Sequence, residues 1–215
     1  SLQAIDTTAL VAESLSALSS SVNGFDAGFA VSEGADLTVT VNGDQLSDAQ
    51  IAEAFTSTTV NGVISYVAKA GAFNDDTVEV AIAGQVDAAG NTTAAPTALS
   101  LTIDTTAPGL TLTAVADSDS GNYDHGFVVS SADATVTVTV GDVALTAEQV
   151  ADKFTTSTDS ETGEVTYTAR VNAFTGDERV SVSASLVDAA GNTSTEGLSL
   201  QAIDTTALVA ESLSA

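Results

Sequence analysis

The sequence predicts an all-β chain built as two tandem β-sandwiches of about seven strands, each with one short helix. Three observations carry that expectation. The text repeats: residues 1–17, SLQAIDTTALVAESLSA, recur letter for letter at 199–215, and IDTTA stands at 5–9, 103–107 and 203–207. A fixed period of this kind sets the architecture before any local reading does. The aromatics repeat with it: Phe25 aligns with Tyr123, Phe29 with Phe127, Phe55 with Phe154, Tyr66 with Tyr167 and Phe73 with Phe174, which uses all ten rings. Each half is therefore expected to pack its own core around the same five rings, and about a hundred residues is an ordinary size for one domain. Finally, Val, Thr, Ala and Ser dominate the 44 % apolar composition and its polar complement, which favours strands over helices.

Period-two alternation places the strands. In the first half it runs through Leu37–Val41, Val63–Val67, Val78–Ile82 and Leu99–Ile103; in the second through Val136–Val140, Val165–Ala169, Val180–Ala184 and Leu198–Leu200. A first strand at Leu110–Val115 and a short one around Phe127–Val129 bring the count to about seven per half. One helix interrupts each half. Ser47-Asp-Ala-Gln50 and Thr146-Ala-Glu-Gln149 match the capping box, and Ile51/Phe55 and Val150/Phe154 follow at i,i+4. The helix is expected to bridge the two sheets. Seven short strands with regular turns give the arithmetic of an immunoglobulin-like sandwich.

The resulting division has residues 1–8 as the end of the last strand of a preceding repeat, 9–104 as repeat 1, 105–204 as repeat 2, and 205–215 as the start of the first strand of a following repeat. The chain reads as a fragment of a longer array.

Charge narrows the partners. Twenty-nine acidic residues face four basic ones, a formal net charge of -25, so the surface repels nucleic acid and anionic membranes. No apolar run approaches the roughly 18 residues of a membrane span. Cysteine is absent, so the fold is independent of redox state and gives no compartment.

In a seven-strand sandwich of this type, successive strands reverse direction, and loops one–two, three–four and five–six share the end from which the chain leaves. Asp117-Ser-Asp119-Ser-Gly-Asn-Tyr-Asp124 occupies the first loop of the second half, at that downstream end and near the linker residue Asp204. Asp177 lies in the fifth-to-sixth loop of the same half. Asp87-Ala-Ala-Gly-Asn91 and Asp188-Ala-Ala-Gly-Asn192 form the turn before each last strand, at the upstream end beside an IDTTA linker. Carboxylates are thus expected to converge on the junctions. Such crowding without basic partners is costly unless a cation fills it, and hard oxygen ligands suit Ca²⁺ better than zinc, for which the chain offers one histidine and no cysteine. The spacing at Asp117 resembles the start of an EF-hand loop, but its twelfth position is Val128, so an EF-hand is not expected. For DAAGN, two readings stay open: a plain turn, with Gly and Asn supplying positive φ and Asp bonding its own backbone, or a turn that also contributes a ligand. In the first half, Ser19-Ser-Ser-Val-Asn-Gly-Phe-Asp26 keeps one carboxylate of three, so its downstream site is expected to be weak or absent unless Asp75 and Asp76 compensate.

The run VDAAGNTTAAPTALSLTIDTTAPGL at 86–110 resembles the bacterial immunoglobulin-like extender repeats of giant RTX-related, type I secreted surface adhesins of the biofilm and ice-adhesion kind. The likeness covers essentially the whole chain, twice. It implies an extender that holds a distal binding domain away from a Gram-negative cell, extracellular and monomeric, with neighbouring repeats as its partners and Ca²⁺ stiffening the junctions. By matched position it implies linker roles for Asp6, Asp104 and Asp204 and turn roles for Asp87, Asn91, Asp188 and Asn192. Leu10 and Leu208 stand where the middle copy has Pro108, which implies junctions of unequal stiffness.

Catalysis and small-molecule turnover are not expected. The one histidine, His125, sits beside Asp124 in an expected loop, and its counterpart is Ala27. Paired carboxylates could serve glycoside hydrolysis, but these acids fall in turns, and five core rings per half leave none to stack a sugar. The competing reading is an adhesive module that binds glycan or protein through its loops. Asn91-Thr-Thr and Asn192-Thr-Ser also satisfy the glycosylation sequon, though a hairpin turn accounts for both asparagines.

Overall fold

The computed structural model describes residues 10–20, 22–116, 124–175, 178–200 and 203–205. Two compact units result: one from Ser1–Ala107 with Ala189–Asn192, the other from Pro108–Asp188 with Thr193–Ala215. The division falls at Ala107/Pro108, three residues beyond the expected 104/105. The expected flanking segment at 1–8, and all of the one at 205–215 except Thr205, lie outside the described residues.

Unit 1 runs β1 (Leu15–Ser19), β2 (Asp26–Ser32), β3 (Leu37–Val41), β4 (Asp44–Gln45), α1 (Asp48–Ala54), β5 (Phe55–Val60), β6 (Val63–Ala68), β7 (Asp76–Ile82) and β8 (Leu99–Ile103). Its strands form two antiparallel sheets, β1-β2-β6-β5 and β4-β3-β7-β8. Unit 2 repeats the plan with β9 (Leu112–Ala116), β10 (Asp124–Val129), β11 (Thr135–Val140), β12 (Val143–Ala144), α2 (Ala147–Lys153), β13 (Phe154–Thr158), β14 (Val165–Ala169), β15 (Val180–Val187) and β16 (Thr193–Leu200). Its sheets are β13-β14-β10-β9 and β12-β11-β15-β16. Each unit is an all-β sandwich of immunoglobulin-like strand order.

Each core draws on both sheets of its unit. In unit 1, Phe29 and Val31 of β2 and Phe55 of β5 meet Val39 of β3, Val78 and Val80 of β7, and Leu101 and Ile103 of β8. In unit 2, Phe127, Val129 and Phe154 meet Val138, Val180, Val182, Leu200 and Ile203. In β3, β8, β11 and β15 the inward apolar positions alternate with Ser and Thr, as a half-buried strand requires. Phe29/Phe127, Phe55/Phe154 and Phe73/Phe174 are buried as expected, and their rings contact one another edge-on or tilted. The tyrosines depart from that expectation: Tyr66 and Tyr167 are only half-buried.

The helices form where the capping boxes stand. Gln50 N–H donates to Ser47 Oγ and the Ser47 N–H donates to Gln50 Oε1, and Thr146 and Gln149 do the same, so two orphan donors are satisfied at each helix start. Each helix links a strand of one sheet to a strand of the other. At its far end the last-turn carbonyls meet the chain's scarce cations: Lys69 Nζ donates to Ala52 O at 2.7 Å, and Arg170 Nε, at the equivalent place in unit 2, to Ala151 O at 3.1 Å. Lys153 Nζ donates to Ala173 O at 2.6 Å and lies 4.4 Å from the centre of the Phe174 ring.

A bulge marks the start of the second strand in both units, between Leu18 and Ser19 opposite Gly28 and Asp26, and between Asp124 and Gly126. Gly28 (φ +145°) and Gly126 (φ +158°) are required there because a Cβ would overlap the carbonyl oxygen of Tyr66 or Tyr167 on the neighbouring strand. His125 is the extra residue of the second bulge; it is exposed and lies within β10 rather than in a loop.

Candidate functional site

The first threonine of the IDTT motif, Thr105 or Thr205, makes the same backbone hydrogen bonds in both units. Ile103 is buried and ends β8, and Ile203, beyond the end of β16, is buried in the core of unit 2. The following threonine then ties the linker to the β6–β7 loop. Thr105 N–H donates to Phe73 O at 2.9 Å, its carbonyl accepts from Gly71 N–H at 2.8 Å, and its Oγ1 accepts from the N–H groups of Ala72 and Phe73, both at 3.1 Å. In unit 2, Thr205 N–H donates to Phe174 O at 3.0 Å, its carbonyl accepts from Asn172 N–H at 2.8 Å, and its Oγ1 accepts from Phe174 N–H at 2.9 Å. Thr106 adds a 2.6 Å bond from Oγ1 to Phe73 O. The expected role lay with the aspartate of this motif; the bonds to the neighbouring loop come from its threonines, for which the repeated TT is the signal in the sequence.

The aspartate itself turns the chain out of the strand. Asp104 Oδ1 accepts from Thr106 N–H at 2.9 Å. Within the same unit, Asn192 Nδ2 donates to Asp104 Oδ1 and to the Asp104 carbonyl, both at 3.3 Å. Two of the predicted residues, Asp104 and Asn192, are therefore brought together. Asp204 forms an isolated bridge with Thr175, and Asp124 opens β10, half-buried.

The DAAGN turn of unit 1 closes on its own carboxylate. Asp87 Oδ1 accepts from Ala89 and Asn91 N–H at 2.8 and 2.9 Å, and Oδ2 from Asn91 Nδ2 at 2.7 Å. The Asn91 side chain, then its backbone N–H, hold the Asp87 carboxyl below the ordinary carboxylate range. The expected backbone role is corrected in one respect. Positive φ falls on Gly90 (+88°) and Gly191 (+89°), while the described non-glycine residues that adopt it are Asn23, Asn42, Asn61, Asp75 and Asn172; Asn91 instead works through its side chain. Asp188 opens the corresponding turn between β15 and β16.

At the downstream end of unit 1, protein donors take up the carboxylates. Asp26 Oδ2 accepts from Thr102 N–H at 3.1 Å; Asp76 accepts from Asn42 Nδ2 at 2.6 Å and from Asn74 N–H at 2.9 Å. Asp6, Asp117, Asp119 and Asp177 lie outside the described residues. Among the described residues, no three His, Cys, Asp or Glu side chains form a group that could hold a metal. No helix among them is long and apolar enough to cross a membrane.

No protein-family model and no curated protein sequence matches the chain.

Proposed function

We propose that the chain is a pair of structural extender repeats from a large repetitive cell-surface adhesin, with Ca²⁺ stiffening the ends where one repeat passes to the next. The observation that carries this reading is the paired set of oxygens at Asp104. Its Oδ1 and carbonyl both lie within hydrogen-bond range of the Asn192 amide. Turning that amide half round presents Oδ1 in place of Nδ2, which makes three hard oxygens of the kind Ca²⁺ accepts. Asp104, Asn192 and the equivalent Asp204 are the residues that would hold the ion. When bound, it supplies the positive charge that a surface of net charge -25 otherwise lacks.

The threonine staples support the mechanical half of the reading. A linker tied by several hydrogen bonds within three residues leaves its domain in one direction, and a spacer needs that stiffness. An extracellular, type I secreted setting follows from the sequence resemblance alone and belongs to this proposal.

Calorimetric titration with CaCl₂ tests it, with the intact chain and with Asp104→Ala. Binding with Kd of about 10⁻⁴ to 10⁻³ M, weakened at least tenfold by the substitution, is expected. X-ray scattering should give a longer, narrower particle in Ca²⁺ than in chelator. Identical scattering profiles with and without the ion would remove the mechanical role.

A further inference from the structure

Each unit has a cleft in the same place, under the helix and beside the edge of the first sheet. In unit 1 it has a volume of about 400 Å³ and is lined by Leu37, Asp48, Ile51, Phe55, Ser57 and Tyr66 among others. In unit 2 the volume is about 410 Å³, and the equivalent lining residues are Val136, Ala147, Val150, Phe154, Thr156 and Tyr167. The two halves have diverged in sequence, yet both keep a Phe–Tyr floor and a hydroxyl at Ser57 or Thr156.

The tyrosines are placed unusually for core rings. Tyr66 stacks one face on Phe29 (centroids 4.8 Å, 17° between planes), and Tyr167 stacks on Phe127 (4.5 Å, 11°). Tyr66 and Tyr167 also line the cleft, and among the described residues no hydrogen-bond partner is found for either phenol hydroxyl, for Ser57 Oγ or for Thr156 Oγ1. Partial burial raises the Tyr167 hydroxyl above its ordinary range. A flat aromatic patch flanked by unused hydroxyls offers both halves of what a sugar ring presents: a face of C–H groups and an edge of O–H groups.

Tyr66 and Tyr167, expected to be taken up wholly by core packing, instead keep part of their surface toward the cleft. An amine or other cation suits the floor less well, because only unit 1 has acids on the rim. There Asp36 and Asp48 line the cleft, whereas unit 2 has Arg170 and an alanine at the Asp48 position. What the two clefts share is the neutral chemistry, and what they differ in is the charge beside it.

We infer that each cleft binds one pyranose residue of a glycan, stacked on Tyr66 or Tyr167 and hydrogen-bonded through Ser57 or Thr156, the second unit accepting a uronic acid that the first rejects. This goes beyond a spacer role and does not depend on calcium.

NMR titration of the intact chain, observing the tyrosine ring protons, tests it with methyl glucopyranoside, methyl galactopyranoside, methyl glucuronide and N-acetylleucine amide as probes. Saturable shifts of Tyr66 and Tyr167 with at least one neutral glycoside are expected in the millimolar range. Methyl glucuronide should move Tyr167 and leave Tyr66 in place. Ser57→Val keeps the floor intact and should weaken binding at Tyr66 about fivefold, the size of one lost hydrogen bond, leaving Tyr167 unchanged. No saturable shift with any glycoside would overturn the inference. So would saturation by the leucine derivative alone, which would mark the cleft as a seat for an apolar peptide side chain.

Discussion

At the scale of the residue, several acids are met by neutral donors, backbone N–H groups and asparagine side chains. Asp87, Asp159 and Glu178 are all held below the ordinary carboxylate range by hydrogen bonds from within their own turns: from Asn91, from Glu161 N–H, and from Thr175 N–H respectively. A carboxyl held low stabilises the fold above its ordinary range, and that contribution is lost as pH falls toward the depressed value. The Asp87 carboxyl, followed by NMR, should therefore titrate below an ordinary aspartate, and Asn91→Ala should bring it back toward the normal range. One acid departs from the rule. Glu13 precedes β1 at the place where unit 2 has the buried Leu110; Gln85 Nε2 donates to its Oε1, while Oε2 is buried without a partner. An unsatisfied buried oxygen costs about 1–3 kcal/mol, so Glu13→Leu should stabilise unit 1 by about that much in urea unfolding. The composition told of an excess of acid, but which carboxylates close turns and which one is buried depends on register that no single-residue pattern carries.

Among the elements, legibility followed burial. Leu37–Val41, Leu99–Ile103 and Val165–Ala169 alternate cleanly because one face covers the core, and their predicted and observed bounds coincide. The capping boxes were equally plain, since Ser47 and Thr146 announce the helix start chemically. β5 and β13 were missed: after a buried Phe, every residue of FTSTTV and FTTST is exposed, as on a sheet edge, so no alternation betrays them. The two-residue strands β4 and β12 are too short for any periodic signal, and with them each unit has eight strands among the described residues rather than about seven. The linker belongs to this scale as well. Thr205→Val keeps shape and deletes the hydroxyl that accepts from Phe174 N–H, so it should cost unit 2 about 1–2 kcal/mol and speed hydrogen exchange at Phe174, with little change in the middle of β15. Of the candidate site, the IDTT and DAAGN segments were visible through repetition; that Asn91 holds Asp87 by its side chain was not, because a turn motif fixes spacing and leaves side-chain direction open.

For the whole molecule, the governing quantity is a net charge of -25 on 215 residues. Self-repulsion of this order opposes any compact state and weakens as salt shortens the screening length from about 30 Å at 0.01 M to about 10 Å at 0.1 M. The melting temperature should accordingly rise by about 5 °C as NaCl is added across that range, a rise of the size of about 1 kcal/mol in a domain of this length. Calcium at matched ionic strength should raise it further if ions sit at Asp104, and no further rise would leave only general screening.

The anchoring of Lys69 and Arg170 on the helix ends, and of Lys153 on Ala173, also bears on proteolysis. A protease of trypsin specificity can cut this chain at only four side chains, and three of them are fastened to the backbone of a folded sandwich. Cleavage requires a locally unfolded strand of several residues. The same economy of cations that holds the helices in place leaves digestive enzymes of that class almost nowhere to begin.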